Sequence, residues 1–514
     1  MSPPGSGCGK IPVICDKLIF LNAMTLSDRI PFYKTNRGIA LLFILLFLPD
    51  IDFAQQNNTL FFMHSIPQSN FLNPAVQGEC GVFIGLPVIS SVHVNVANSG
   101  FTLEQLLEKQ SDNSYVIDAD FVANRLAPRN YLITELHTTL LALGIRHEKD
   151  YFTFSVNEKD NATVFYPRDL VLFALHGNTQ FEGERLSFNS TGVFFNHYRE
   201  YALGVSRQVD AEKTIGIKAK LLFGKLNIET DKMNVGLLTE ENTFNLLFDA
   251  DVTINASFPY SLVENDGSYD TTLLYDAPII DYALSRQNPG FAIDAGFIYK
   301  YSDRVTFSGS LLDLGFIRYA SHLTNYSLQG DYLYNGPLGD TIISEGYFRD
   351  LFDNLNNAME DELTYDPYVH FLDPKLLLGA SYDVNRNLSF NALFYNRFNR
   401  MKYQNGLTLS MLARPRRNLI TSLSWSYMNR SFLNLGAGFA YGNSPLQFYL
   451  VSDNLLAPLF PMNTRNVNLR FGLNIQLGCY KREKIDECGC YWLEKEQERR
   501  ERKESWGERG KKRQ

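Results

Sequence analysis

Apolar and polar residues alternate one by one along most of this chain, and the segment near its end shows the pattern most clearly. Val467, Leu469, Phe471, Leu473, Ile475 and Leu477 fall on one side, and Asn466, Asn468, Arg470, Gly472, Asn474 and Gln476 on the other. Successive side chains of a strand project to opposite faces, so this spacing predicts a strand with one greasy and one wet face. The same period recurs in 215–221, 244–255, 291–300, 419–427 and 433–441. Further strands are predicted near 131–147, 150–158, 191–207, 303–319, 321–334, 375–384, 387–398, 404–413 and 445–452. Many are ~10 residues or longer, enough for a tilted strand to cross a hydrocarbon layer.

Period two alone fits a soluble sandwich as well as a membrane barrel. The greasy sets carry Phe, Leu, Tyr and Ala with almost no charge, and several neighbours are joined by short turns such as Val384-Asn385-Arg386-Asn387. An export signal tips the balance. Lys34 and Arg37 lead into the apolar run Gly38–Leu48, which is too short for a membrane helix and is closed by Pro49. Cleavage is expected near Ala54, with Met24 as the start of the signal. The expectation is an all-β, transmembrane antiparallel barrel of about 14 strands in a bacterial outer membrane. The division is 1–54 extension and signal, 55–128 plug and first short strands, 129–479 barrel, and 480–514 charged periplasmic tail. Residues 259–289 and 335–374 are expected as polar external loops, with helical spacing over Tyr347–Leu363, and Thr102–Lys109 as one capped helical piece. Residues 57–100, rich in Pro and Asn around Ser65–Ala75, read otherwise as loop and turn.

Composition narrows function by exclusion. The net charge of -8 argues against a nucleic-acid partner. Eight scattered histidines offer no metal-spaced pair, and neither a Gly-x-Ser-x-Gly elbow nor a phosphate loop is present, so neither a cofactor nor an enzymatic activity is expected. His137, beside two threonines, is read as a lumen or interface residue. The six cysteines are read as free thiols, with a tail disulfide as the alternative. Asp249, Asp251, Asp294, Lys218, Lys220, Lys300, Arg397 and Arg470 sit on wet faces and are candidate lumen residues. Opposite charges across a narrow lumen pair and close it; in an open pore they set ion preference.

Three blocks carry a resemblance: Phe62–Ala75 (Phe-Met-His-Ser-Ile-Pro-Gln-Ser-Asn-Phe-Leu-Asn-Pro-Ala), Val82–Pro87 with Asn95–Phe101, and Leu311–Arg318 (Leu-Leu-Asp-Leu-Gly-Phe-Ile-Arg). Together they resemble a Bacteroidota family of outer-membrane proteins with a domain of unknown function, which is similar to the PorV/PorQ proteins and distantly to FadL-type fatty-acid transporters. The resemblance spans 57–479 and implies a barrel whose N-terminal segment folds inward as a plug containing Asn70, Asn73, Pro74 and Ala75. It implies either a plugged channel for small apolar or amphipathic solutes or a non-enzymatic docking barrel for secreted or surface proteins. Outer-membrane lipid is the surrounding partner in both. A soluble secreted β-sheet binding protein is the third reading.

Overall fold

The computed structural model describes residues 58–479, apart from 103–106, 110–114, 118–124, 178–180, 244, 259–263, 266–267, 270–278, 336–357, 400–402, 417, 429–430, 443, 456 and 458–463. The export signal, the charged tail, and most of the helix expected over 347–363 lie outside the described residues.

The wall strands are β1 (Cys80–Gly85), β2 (Val92–Asn98), β3 (Arg129–His147), β4 (Asp150–Pro167), β5 (Gly192–Gln208) and β6 (Lys213–Thr239). They continue with β7 (Leu246–Ser257), β8 (Pro289–Lys300), β9 (Val305–Tyr319), β10 (Leu323–Tyr334), β11 (Glu360–Thr364), β12 (Tyr368–Phe371) and β13 (Lys375–Asn385). The last are β14 (Leu388–Phe398), β15 (Tyr403–Arg416), β16 (Leu419–Met428), β17 (Ser431–Tyr441), β18 (Leu446–Ser452) and β19 (Asn466–Cys479). Each pairing between them is antiparallel, and the ring closes because β1 and β2 bridge β19 to β3. Counting β1 with β2, and β12 with β13, each as one interrupted position, the wall is a closed barrel of 14 strands. Closure matters because an open sheet edge would leave amide and carbonyl groups unpaired in hydrocarbon.

β7, β10 and β11 stand outside this count. β6 is long: Lys213–Phe223 pairs with β8, and Asn227–Thr239 runs on to pair with β7, which pairs with β10 and then β11. These four strands extend the wall beyond the barrel at the end with the longer connections. Short turns at 147–150, 208–213, 300–305 and 385–388 share the opposite end with Cys80 and Cys479. In outer-membrane barrels the short turns are the periplasmic ones.

Polarity is inverted relative to a soluble protein. On β19, Asn466, Asn468, Arg470, Asn474 and Gln476 are buried, while Val467 and Leu477 are exposed. On β8, Ala292 and Asp294 are buried, and Phe291, Ile293 and Phe297 are exposed. Large exposed apolar side chains recur around the whole ring, far beyond the few hundred Å² of contiguous patch that soluble monomers carry. The wall therefore faces lipid outside and a polar lumen inside, and the sandwich reading falls.

Some expectations need correction. β1 and β2 lie where loop was expected, so the wall begins at Cys80. Leu107–Lys109 is a strand paired with Tyr115–Ile117, so at least that part of the expected 102–109 helix is extended. The insertion 335–374 contains β11 and β12, so Glu360–Leu363 is extended too. The cysteines are not all free: Cys80 and Cys479 face each other in register, 399 residues apart, and form a disulfide. The seam between the first and last strands brings them together, a proximity invisible in sequence spacing.

This disulfide staples the barrel's seam at its short-turn end. A bridge closing so long a loop contributes about 2–5 kcal/mol. C80S/C479S should still form a barrel, but its folded band on an SDS gel should give way to the unfolded band at a lower temperature than wild type. An unchanged transition temperature would mean that strand pairing alone holds the seam.

Candidate functional site

The interior is filled first by the chain's own residues 58–79. Leu60, Phe61, Met63 and Ile66 are fully buried, each burial contributing roughly 1.5–3 kcal/mol. Leu60, Met63 and Ile66 pack on Leu412, Ile420, Tyr449 and Val451 of β15, β16 and β18. Phe61 and Phe62 pack on Leu377 of β13 and on Leu393 and Tyr395 of β14. Asn58 and Thr59 donate their backbone N–H groups to the buried Asp453 carboxylate, and the Thr59 and Ser424 hydroxyls are 2.6 Å apart. A short 3-10 turn over Pro67–Phe71, opened by the proline, then reverses the chain.

From there the contacts become polar. Asn70 ties the loop by donating to the Pro74 and Val76 carbonyls. Asn73 donates to the Phe297 carbonyl and accepts from the Ala75 N–H. The Leu72 and Ala75 carbonyls accept from Ser310 and Ser206 on the wall. The wall makes room with two glycines: a Cβ on Gly216 would lie 2.2 Å from the Pro74 oxygen, and one on Gly296 2.2 Å from Asn73 Oδ1.

Above this segment lies a polar cavity of about 70 Å³. Lys159 reaches Glu200 at 2.7 Å, and Lys220 reaches Asp313 at 2.6 Å and Asp294 at 2.7 Å. Lys375 stands 3.4 Å from Asp313. Arg397 bridges Glu135 and Asp373 at 2.9 and 2.6 Å, joining β14 to β3. Arg470 donates to Ser91, and His137 shares a hydrogen bond with Asn161.

Asp313 reaches the lumen through a bulge. Ile293 pairs with Leu314 but Ala295 with Leu311, so Leu312 and Asp313 together oppose Asp294. Two consecutive residues then face inward, and Leu314 returns to the lipid side. Asp313 adopts φ 56°, a left-handed conformation that Asp tolerates better than most side chains, and its N–H donates to Asp294. This bulge is the structural content of the Leu311–Arg318 block.

Of the candidate lumen residues, Lys218, Lys220, Asp294, Arg397 and Arg470 are buried inside. Lys300 is not among them: it is exposed beside the 300–305 turn. Asp249 and Asp251 lie on the β7 extension, half-buried and paired with Arg185 and Lys232. Alternation assigned their face correctly but not their height along the barrel. Lys159, Glu135, Glu200 and Lys375 were missed, although all four sit on predicted strands or their continuations. Among the described residues, no group of three or more His, Cys, Asp or Glu side chains is arranged to hold a metal ion.

Comparison with known proteins adds a family. The profile of a family of unknown function (DUF5723) matches residues 74–453. No curated protein matches the sequence. Similar solved structures include the Pseudomonas putida toluene transporter TodX, at 8% identity and TM-score 0.36, covering 84% of this chain and 96% of that one. Another is a Pseudomonas aeruginosa FadL homologue, at 10% identity and TM-score 0.35, covering 80% and 94%. Overlaps this loose transfer neither ligand nor mechanism.

Two predictions test how the plug is held. Overpacking costs about 1–3 kcal/mol, so Gly216→Val should raise the unseated fraction roughly ten-fold. Limited proteolysis of the purified barrel should then cut within 58–79 faster than in wild type; equal rates would deny the close approach. His64, on the plug, is kept neutral by burial and by Arg414, its pKa lowered to about 4. Its folded value lies below the unfolded 6.5, so the neutral imidazole stabilises the closed state above pH 6.5, and that stability fades as pH falls toward 4. The contribution is on the order of 3 kcal/mol. Protease sensitivity of the plug should therefore rise between pH 6.5 and 4, and less so in His64→Gln.

Proposed function

We propose that this chain, which belongs to the DUF5723 family, is an outer-membrane barrel closed at rest by its own N-terminal segment and opened to a small solute when that segment shifts. The observation that carries this reading is the seating of 58–79: it fills part of the lumen, yet residues 70–77 meet the wall mainly through exchangeable hydrogen bonds. Lumen chemistry favours a polar solute over the apolar or amphipathic one that the resemblance implies, since the cavity is lined by ion pairs.

A second reading, a permanently closed barrel that docks another protein, draws on a different observation. Arg397 ties β14 to β3 across the lumen, and a buried ion pair is strongly destabilising to break, by about 3–5 kcal/mol. Transport has to proceed with this tie intact, whereas docking needs no opening.

A reversible lock separates the two. Asn73 and Gly296 approach closely enough for N73C/G296C to be cross-linked. Proteoliposomes carrying the reduced variant should admit small polar solutes, oxidation should abolish entry, and reductant should restore it. Entry that ignores oxidation would refute plug movement. No entry in any state, with the barrel heat-modifiable, would leave the docking reading standing.

A further inference from the structure

Of the four lysines lining the cavity, Lys159, Lys220 and Lys375 each have a carboxylate oxygen within 4 Å. Lys218 has no such partner among the described residues. Its ammonium is buried, donates to the Asn70 carbonyl at 3.0 Å, and lies 5.3 Å from the centre of the Phe71 ring. Both contacts come from the plug. An ammonium has three donors, and a buried cation resting on one carbonyl and a ring face has no anion in direct contact.

Directly across the strand pair, in register with Lys218, sits Asp294. Its Oδ1 is taken by Lys220 and by the Asp313 N–H, but its Oδ2 is buried without a hydrogen-bond partner. An acceptor lone pair left unmet in the interior is costly. Two residues lining the cavity, on adjacent strands, are therefore a cation short of an acceptor and a carboxylate with one oxygen short of a donor.

We propose that this pair is a binding site for a small α-amino or α-hydroxy acid. The solute's carboxylate meets Lys218, and its α-ammonium or α-hydroxyl donates to Asp294 Oδ2. In an α-substituted acid the two groups are one carbon apart, which suits side chains that are direct cross-strand neighbours. The cavity of about 70 Å³ has roughly the volume of two to three waters, so acids of two or three carbons suit it best with the plug seated. Because the solute's carboxylate competes with the Asn70 carbonyl for Lys218, occupancy removes one of the bonds holding the plug. The inference rests on the transport reading for its purpose, but not for its test.

Saturation-transfer NMR on the detergent-solubilised barrel tests the site with four probes: glycine, glycolate, acetate and methylammonium. Glycine and glycolate should show saturable transfer and displace each other. Acetate, lacking the donor, should bind at least ten-fold more weakly, and methylammonium should not compete. K218M should weaken glycine binding ten-fold or more, K218R should largely restore it, and D294N should narrow the gap between glycine and acetate. Heat-modifiability of each variant shows that the barrel is intact. Absence of saturable glycine binding to wild type, or unchanged binding in K218M, overturns the site. Equal binding of acetate and glycine to wild type overturns the role of Asp294. Binding without liposome entry removes the transport reading and leaves the site.

Discussion

A backbone amide facing hydrocarbon has no water to turn to, and the rest of this structure follows from that. Every wall strand must find partners on both sides, so the sheet closes on itself and β19 returns to β1 and β2. Closure fixes the side-chain problem as well. With period two, half the residues of each strand must suit lipid, and the other half are left facing inward. The inward set here is Asn, Ser, Lys, Asp and Glu, buried without being apolar.

Buried charge is tolerable only when paired and hydrogen-bonded. The lumen meets that demand by drawing partners from different strands: Lys220 of β6 meets Asp294 of β8 and Asp313 of β9, and Arg397 of β14 meets Glu135 of β3. The bulge at Leu312–Asp313 fits the same logic. Strict alternation would give β9 one inward residue at that level; the bulge gives it two, and adds a carboxylate among three lysines. The interior is thus crowded with compensated charges, and Lys218 stands out because its compensation comes from the plug.

The strands were legible because the rule that reads them is local. Alternation over ten residues identified nearly every long strand of the wall to within a few residues. β1 and β2 escaped it because they are short, six and seven residues, and follow the Pro- and Asn-rich stretch that reads as loop. The β6 extension escaped because Glu229-Thr230-Asp231-Lys232 interrupts its apolar face where the strand no longer needs lipid on one side. What depends on closure was not legible at all. Cys80 with Cys479, Arg397 with Glu135 and Lys218 with Asn70 are 399, 262 and 148 residues apart. Alternation could assign Lys218, Asp294 and Lys300 to one kind of face, but only the position of each along its strand tells a lumen residue from a turn residue.

The plug itself divides by the kind of contact it makes, and the division says which part can move. Residues 60–66 are held by apolar burial against β13–β16 and β18, and releasing them would expose several large side chains to water at roughly 1.5–3 kcal/mol each. Residues 70–77 are held against β5, β6, β8 and β9 largely by carbonyls accepting from Ser206, Lys218 and Ser310. A hydrogen bond exchanged for one to water or to a solute changes the free energy by only about 0.5–1.5 kcal/mol. The 3-10 turn at Pro67–Phe71 stands between these regimes. On the proposed transport reading, opening would not require the plug to be expelled. The segment after the turn would leave the wall while the segment before it stays anchored, and that part begins beside Lys218.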